Sequence, residues 1–126
     1  MVSSIVTNAA PAAIGPYSQG IVFGNMVYTS GQIPVNPADG SVPASIEEQA
    51  TQSLNNVKAV LEAAGASMDD VIKTTVFIQN MDDFAKINSV YAAYFAGPIL
   101  PARSCVEVAK LPKGVLIEIE AIAVKR

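Results

Sequence analysis

The segment Val71–Gln79 (VIKTTVFIQ) is rich in β-branched residues and reads as a strand. Side chains alternate between the two faces of a strand. Val76 and Ile78 fall on one face, and Thr75, Phe77 and Gln79 on the other, so neither face is fully polar. A sheet built around such a strand needs cover on both sides. That demand is severe, because only two segments of the chain show helical periodicity.

The first helix is bounded at both ends. Ser45 with Glu48 three residues on forms a capping box, and Gly65 stands where a left-handed terminating residue belongs. Between them Ile46, Ala50, Leu54, Val57, Leu61 and Ala64 recur at spacings of three and four, one apolar stripe. The second helix is expected to be capped by Asp82 or Asp83 and stopped by Gly97-Pro98, with Phe84, Ile87, Tyr91, Tyr94 and Phe95 as its buried face.

Strands are expected at Ser18–Phe23 and Met26–Gln32, joined at Gly24-Asn25, a pair suited to a tight hairpin. Two more follow at Arg103–Ala109 and Val115–Val124, linked through Pro112-Lys113-Gly114, and Ser3–Val6 is a candidate short first strand. Pro34–Pro43, with three prolines and Asp39-Gly40, is loop. The pattern predicts an α+β domain over residues 1–126, with two helices covering one face of one sheet.

The second face must find other cover. Of the 126 residues 51% are hydrophobic and only 15% are charged, against a usual charged fraction of about a quarter. Burial of that face in a symmetric oligomer is the expected solution, with ligand sites at subunit boundaries.

Composition also excludes chemistry. The chain has no histidine and one cysteine. Ser-His-Asp and Cys-His nucleophile systems, His-based zinc motifs and Cys-only metal sites are therefore out. No Walker-type loop or GxGxxG motif occurs. The net charge is −3 and the eight basic residues are scattered, which argues against a nucleic-acid surface. The start of the chain lacks the pattern of a signal peptide, and no apolar run reaches the about 20 residues of a membrane span. A soluble cytoplasmic protein is expected, and the lone cysteine agrees with a reducing compartment.

What remains for catalysis is carboxylate, tyrosine, backbone, Cys105 and Arg103, the one arginine besides the terminal Arg126. Strand alternation puts Arg103 and Cys105 on a common side, and likewise Glu118 and Glu120, so that cation, thiol and carboxylate are candidates for one pocket. Arg103 has two readings. It is a fork for a ligand carboxylate, or it forms a structural ion pair with Glu107 or Glu118.

Four segments carry a resemblance: Gly15-Pro16-Tyr17-Ser18-Gln19, Thr29-Ser30-Gly31-Gln32-Ile33-Pro34, Pro101-Ala102-Arg103-Ser104-Cys105-Val106 and Ile117-Glu118-Ile119-Glu120-Ala121. Together they resemble the RidA/YjgF family of reactive-intermediate deaminases over essentially the whole chain. The resemblance implies a chorismate-mutase-like fold of the bacillary type, with a mixed sheet of about six strands. It implies a homotrimer with pockets between subunits and no metal or organic cofactor. It implies hydrolysis of 2-iminobutanoate and 2-iminopropanoate, formed by amino-acid dehydratases, to 2-oxo acids and ammonia.

On that resemblance Arg103 anchors the substrate carboxylate and Glu118 handles water, while Glu120 is secondary. Cys105 is a binding contact through its backbone N–H and not a nucleophile, since imine hydrolysis needs none. Tyr17, Ser30, Gly31 and Asn88 complete the binding set. The Ala96–Leu100 connection departs from the more polar segment of many relatives, which bears on the preferred substrate side chain. Two other readings use the same residues. One is a binder of small 2-oxo acids without turnover. The other is an endoribonuclease or translation inhibitor, which the acidic charge and missing histidine disfavour.

Overall fold

A computed structural model describes residues 1–126. It contains six strands, β1 (Val2–Ile5), β2 (Gly20–Phe23), β3 (Met26–Thr29), β4 (Val71–Ile78), β5 (Ala102–Glu107) and β6 (Ile117–Val124), and two helices, α1 (Ile46–Ala63) and α2 (Phe84–Tyr94). The strands form one mixed sheet in the order β1-β2-β3-β6-β4-β5. All neighbours are antiparallel except β4 and β5, which run parallel across the α2 crossover. This is the α+β architecture expected from the sequence.

Local signals explain the elements. Ser45 caps α1, its side chain accepting from the Glu48 N–H. Gly24 at φ +61° turns the β2–β3 hairpin. At α2 the cap differs from the expectation. Asp83 occupies the N-cap position but makes no side-chain hydrogen bond. Instead a short 3-10 turn, Met81–Asp83, leads into the helix and is capped by Asn80, whose side chain accepts from the Asp82 N–H.

Several strands are shorter than their apolar runs. Residues 18–19 lie outside β2 and residues 30–32 outside β3, because the chain bends there and only Gln32 pairs again, as an isolated bridge to Ile119. Residues 108–109 and 115–116 likewise lie outside β5 and β6.

The core lies between the helices and one face of the sheet. Val27, Val76, Ile78, Ile117, Ile119, Ala121 and Ala123 meet Leu54, Val57, Val60 and Leu61 of α1 and Ile87 of α2, all buried. The buried face of α2 is narrower than its sequence suggests. Ile87 and, just past the helix, Phe95 are buried, but Phe84 is exposed and Tyr91 and Tyr94 only half-buried.

The opposite face has no helix on it. Val2, Phe23, Tyr28 and Val106 stand exposed there, beside Phe77, Ile122 and the charged Lys73, Glu118 and Glu120. Exposed apolar side chains on an uncovered sheet face suit a surface that binds something. No helix is long and apolar enough to cross a membrane.

Candidate active site

The sheet register divides the sequence-predicted residues into two groups. Thr74 of β4 pairs with Arg103 on one side and Ala121 on the other, and Val76 pairs with Cys105 and Ile119. Cross-strand partners share a face. Arg103 and Cys105 therefore point to the helix-covered side. Phe77 pairs with Val106 and Glu118, and Thr75 with Ser104 and Glu120, so the two glutamates point to the open side. The expected convergence of Arg103, Cys105 and Glu118 does not occur within one chain. β4 lies between β5 and β6, and the register sets the two groups on opposite faces.

The first group sits on β5, the edge strand, against α2. Arg103 Nη1 donates to Asn88 Oδ1 at 2.7 Å. Its guanidinium lies 5.3 Å from the Phe84 ring centroid and 4.8 Å from that of Tyr91. Phe84, Asn88 and Tyr91 recur at helical spacing, so one face of α2 forms a cradle for the cation. Tyr91 is fixed in turn by a 2.7 Å hydrogen bond between its hydroxyl and Thr74 Oγ1.

No carboxylate meets Arg103. The one ion pair in the chain joins Arg126 to Asp70, and Glu107 accepts instead from the Met81 N–H at 2.8 Å. The ion-pair reading of Arg103 thus fails within the chain. A half-buried guanidinium with most of its donors unused is suited to an incoming carboxylate. Burial pushes the Cys105 thiol pKa up, against the opposing pull of Arg103, so the thiol is not activated.

The second group surrounds Glu118. Gln32 pairs with Ile119, its N–H donating to the Ile119 carbonyl at 2.7 Å and its own carbonyl accepting at 3.2 Å. This brings the Gly31 α-carbon onto the Glu118 side chain. A Cβ at residue 31 would overlap the carboxylate, coming 2.8 Å from its Cδ. Gly31 and Tyr17 also line a cavity of about 250 Å³ with Ile14, Ile33, Val35 and Lys113. Burial, and secondarily the charge of Glu120, raises the Glu118 carboxyl pKa above its ordinary value. A carboxylate so held takes up a proton more readily than a solvated one.

Ser30 is tied into the local backbone. Its hydroxyl donates to the Ser18 carbonyl at 2.5 Å and its N–H to the Gln19 carbonyl at 2.9 Å. It fixes the bend that presents Gly31. No three acidic or sulfur side chains come together as a metal site would require.

The family described as endoribonuclease L-PSP matches residues 7–125. The 2-iminobutanoate/2-iminopropanoate deaminase of Escherichia coli K12 is 60% identical over 128 residues, covering all of both chains. The crystal structure of the E. coli YjgF gene product superposes with a TM-score of 0.95 at 60% identity, covering 98% of this chain and 99% of that one. The chain belongs to the RidA/YjgF family. Another RidA-family structure, E. coli TdcF with bound serine, matches with a TM-score of 0.95 at 56% identity over 98% of this chain and 99% of that one.

Four features of this RidA-family site escaped the sequence reading. Lys113, held at φ +57° in the turn before β6, reaches the cavity wall. Gln19, Gln49 and Asn56 are buried amides that bind loop backbone. The signal for Gln49 and Asn56 lay in their spacing, seven residues apart beside the apolar stripe of α1.

Proposed function

We infer that this protein is a 2-iminobutanoate/2-iminopropanoate deaminase, an imine hydrolase. The full-length identity to the E. coli enzyme of that name supports the activity. The observation that carries the mechanism is Arg103, a guanidinium cradled by α2 and free of any carboxylate.

The reaction is R–C(=NH)–COO⁻ plus water giving R–CO–COO⁻ and ammonia. The imino acid docks its carboxylate on Arg103, with Asn88 and the Cys105 backbone fixing the fork. Docking fixes the distance from the anchor to the imine carbon. Water attacks that carbon as Glu118 takes one of its protons. That proton passes to the imine nitrogen, giving the neutral carbinolamine. Glu118 then takes the carbinolamine hydroxyl proton as C=O forms and delivers it to the amine as the C–N bond breaks, releasing ammonia. The carboxylate is thereby restored, and its raised proton affinity suits both steps.

Arg103 and Glu118 lie on opposite faces of their own sheet, so the working site needs two copies of the chain. We propose a homotrimer, in which Arg103, Cys105 and Asn88 of one copy face Glu118, Tyr17, Ser30 and Gly31 of the next. The uncovered apolar face supplies the contact surface. The Ala96–Leu100 connection, with Ile99 and Leu100 exposed, then lies near the Arg103 half and bears on the substrate side chain. Residues 1–126 act as one domain, working in the cytoplasm, and the proposed reaction requires no cofactor.

The test couples the protein to a threonine dehydratase and follows ammonia release. Wild type should accelerate it, and Arg103→Ala and Glu118→Ala should not. Full acceleration by both variants would sink the mechanism. Binding of 2-oxobutanoate with no acceleration by wild type would leave a carboxylate-binding module.

A further inference from the structure

Two side chains of α1 leave the apolar core to hold the backbone on either side of Glu118. Asn56 is 1% exposed, and its Nδ2 donates to the carbonyls of Ile33 at 3.0 Å and Val35 at 2.9 Å. Gln52 Nε2 donates to Asn56 Oδ1 at 2.9 Å and so fixes which way the amide faces. Gln49, 5% exposed, accepts from the Leu116 N–H at 2.8 Å and donates to the Pro43 carbonyl at 2.9 Å. The two amides lie two helical turns apart on one side of α1.

The segments they hold bear directly on Glu118. Gln32, next to Ile33, pairs with Ile119, and Gly31 supports the Glu118 carboxylate. Leu116 stands two residues before Glu118, immediately ahead of β6. One amide thus holds the platform and the other holds the strand that carries the acid. The loop between them, residues 34–43, has no helix or strand of its own.

We infer that Asn56 and Gln49 are positioning residues for Glu118. Together they clamp the Gly31 platform and the start of β6 to one rigid helix, so that the carboxylate is held against Gly31 with water excluded from that side. The inference rests on the role of Glu118 proposed above, but its consequence is readable without substrate. Loosening the clamp lets water reach the carboxylate, and its pKa falls back toward the ordinary value. The other charged and titratable groups facing it are Glu120 on the same strand, Lys73 on β4, Tyr28 on β3 and Tyr17 beside Gly31, with Arg103 and Cys105 of the neighbouring copy in the proposed homotrimer, while β5 presents Ser104 and Val106 there. The clamp variants change none of them.

The experiment is a carboxyl-carbon NMR titration of Glu118 in protein labelled at glutamate, for wild type, Asn56→Ala, Gln49→Met and Val57→Ala. Val57 is fully buried on α1 in the apolar core and has no polar side-chain group to bond the loop, so it controls for lost stability. The Glu118 midpoint should fall in both clamp variants and stay put in Val57→Ala. Turnover should lose about tenfold to a hundredfold in kcat with little change in KM, since the Arg103 anchor is intact. If a clamp variant does not fold, Gln52→Ala, which frees only the orientation of the Asn56 amide, takes the same measurement. An unmoved midpoint in folded clamp variants, or an equal shift in Val57→Ala, overturns the inference. A shifted midpoint in a protein with no wild-type deaminase activity sinks the proposed function and leaves the clamp standing.

Discussion

Gly31 and Glu118 are in van der Waals contact, the α-carbon of one lying where only a hydrogen fits against the carboxylate of the other. The backbone at Gly31 is not left-handed, so the need for glycine here is space and not conformation. Gly31→Ala should therefore push the Glu118 carboxylate aside while the fold persists. Overpacking of this kind costs about 1–3 kcal/mol, and a carboxylate misplaced by about 1 Å costs on the order of a hundredfold in rate. Thermal unfolding and coupled ammonia release check the two parts. Wild-type turnover in a folded Gly31→Ala protein would contradict the contact.

Arg103 is defined by its planarity as much as by its charge. Its cradle offers two ring faces and one amide oxygen, and leaves the other guanidinium donors for a ligand. Lysine keeps the charge but loses the fork and the stacking. Arg103→Lys should raise KM for the imine and the dissociation constant for 2-oxobutanoate together, by about tenfold to a hundredfold for the loss of about 1.5–3 kcal/mol of charge-assisted hydrogen bonding. Asn88→Ala, which leaves the guanidinium in place but unsteered, should show a smaller effect in the same direction. Isothermal titration with 2-oxobutanoate measures both, and equal affinity in Arg103→Lys would show that charge alone anchors the ligand.

The raised pKa of Glu118 carries a cost in stability with a definite sign. The folded protein holds the proton more tightly than the unfolded chain, whose carboxyl has the ordinary value. Stability is then fullest below that ordinary value and declines as pH rises through the folded one. Glu118→Gln cannot ionise. It should match wild type at low pH and exceed it at neutral pH, by under about 1 kcal/mol because the group is half-exposed, while losing turnover. Thermal unfolding of both proteins across pH 4 to 8 (about the range in which a perturbed carboxyl titrates) reads the difference. A difference independent of pH would show that Glu118 is not destabilised by its surroundings.

The fold was largely legible because its signals are local. Ser45, Glu48 and Gly65 bound α1, and Gly24 turns a hairpin, without reference to anything distant. Convergence of the site was not legible in that way. Alternation correctly placed Arg103 with Cys105 and Glu118 with Glu120, but strand order decides whether two such pairs meet. β6 is last in sequence yet inserts between β3 and β4, and the resulting register sends the pairs to opposite faces. Gln49 and Asn56 were missed for a related reason. Their partners are backbone carbonyls and an N–H up to 67 residues away, and backbone groups leave no mark in composition.

Cys105 remains the residue most open to misreading, since it is the one thiol and lies beside the anchor. Two effects act on it in opposition. Burial raises its pKa and the Arg103 charge lowers it, with burial the larger. The thiol therefore stays protonated at neutral pH, and a protonated thiol is a poor nucleophile. Cys105→Ala keeps the backbone N–H and removes only the sulfur. It should retain turnover within about threefold, the cost being the loss of packing for a small half-buried side chain. Alkylation of the wild-type thiol by iodoacetamide should likewise be slow at pH 7. Loss of turnover by about a thousandfold in Cys105→Ala, with trapping of a thiol adduct in wild type, would replace the water-delivery mechanism with a covalent one.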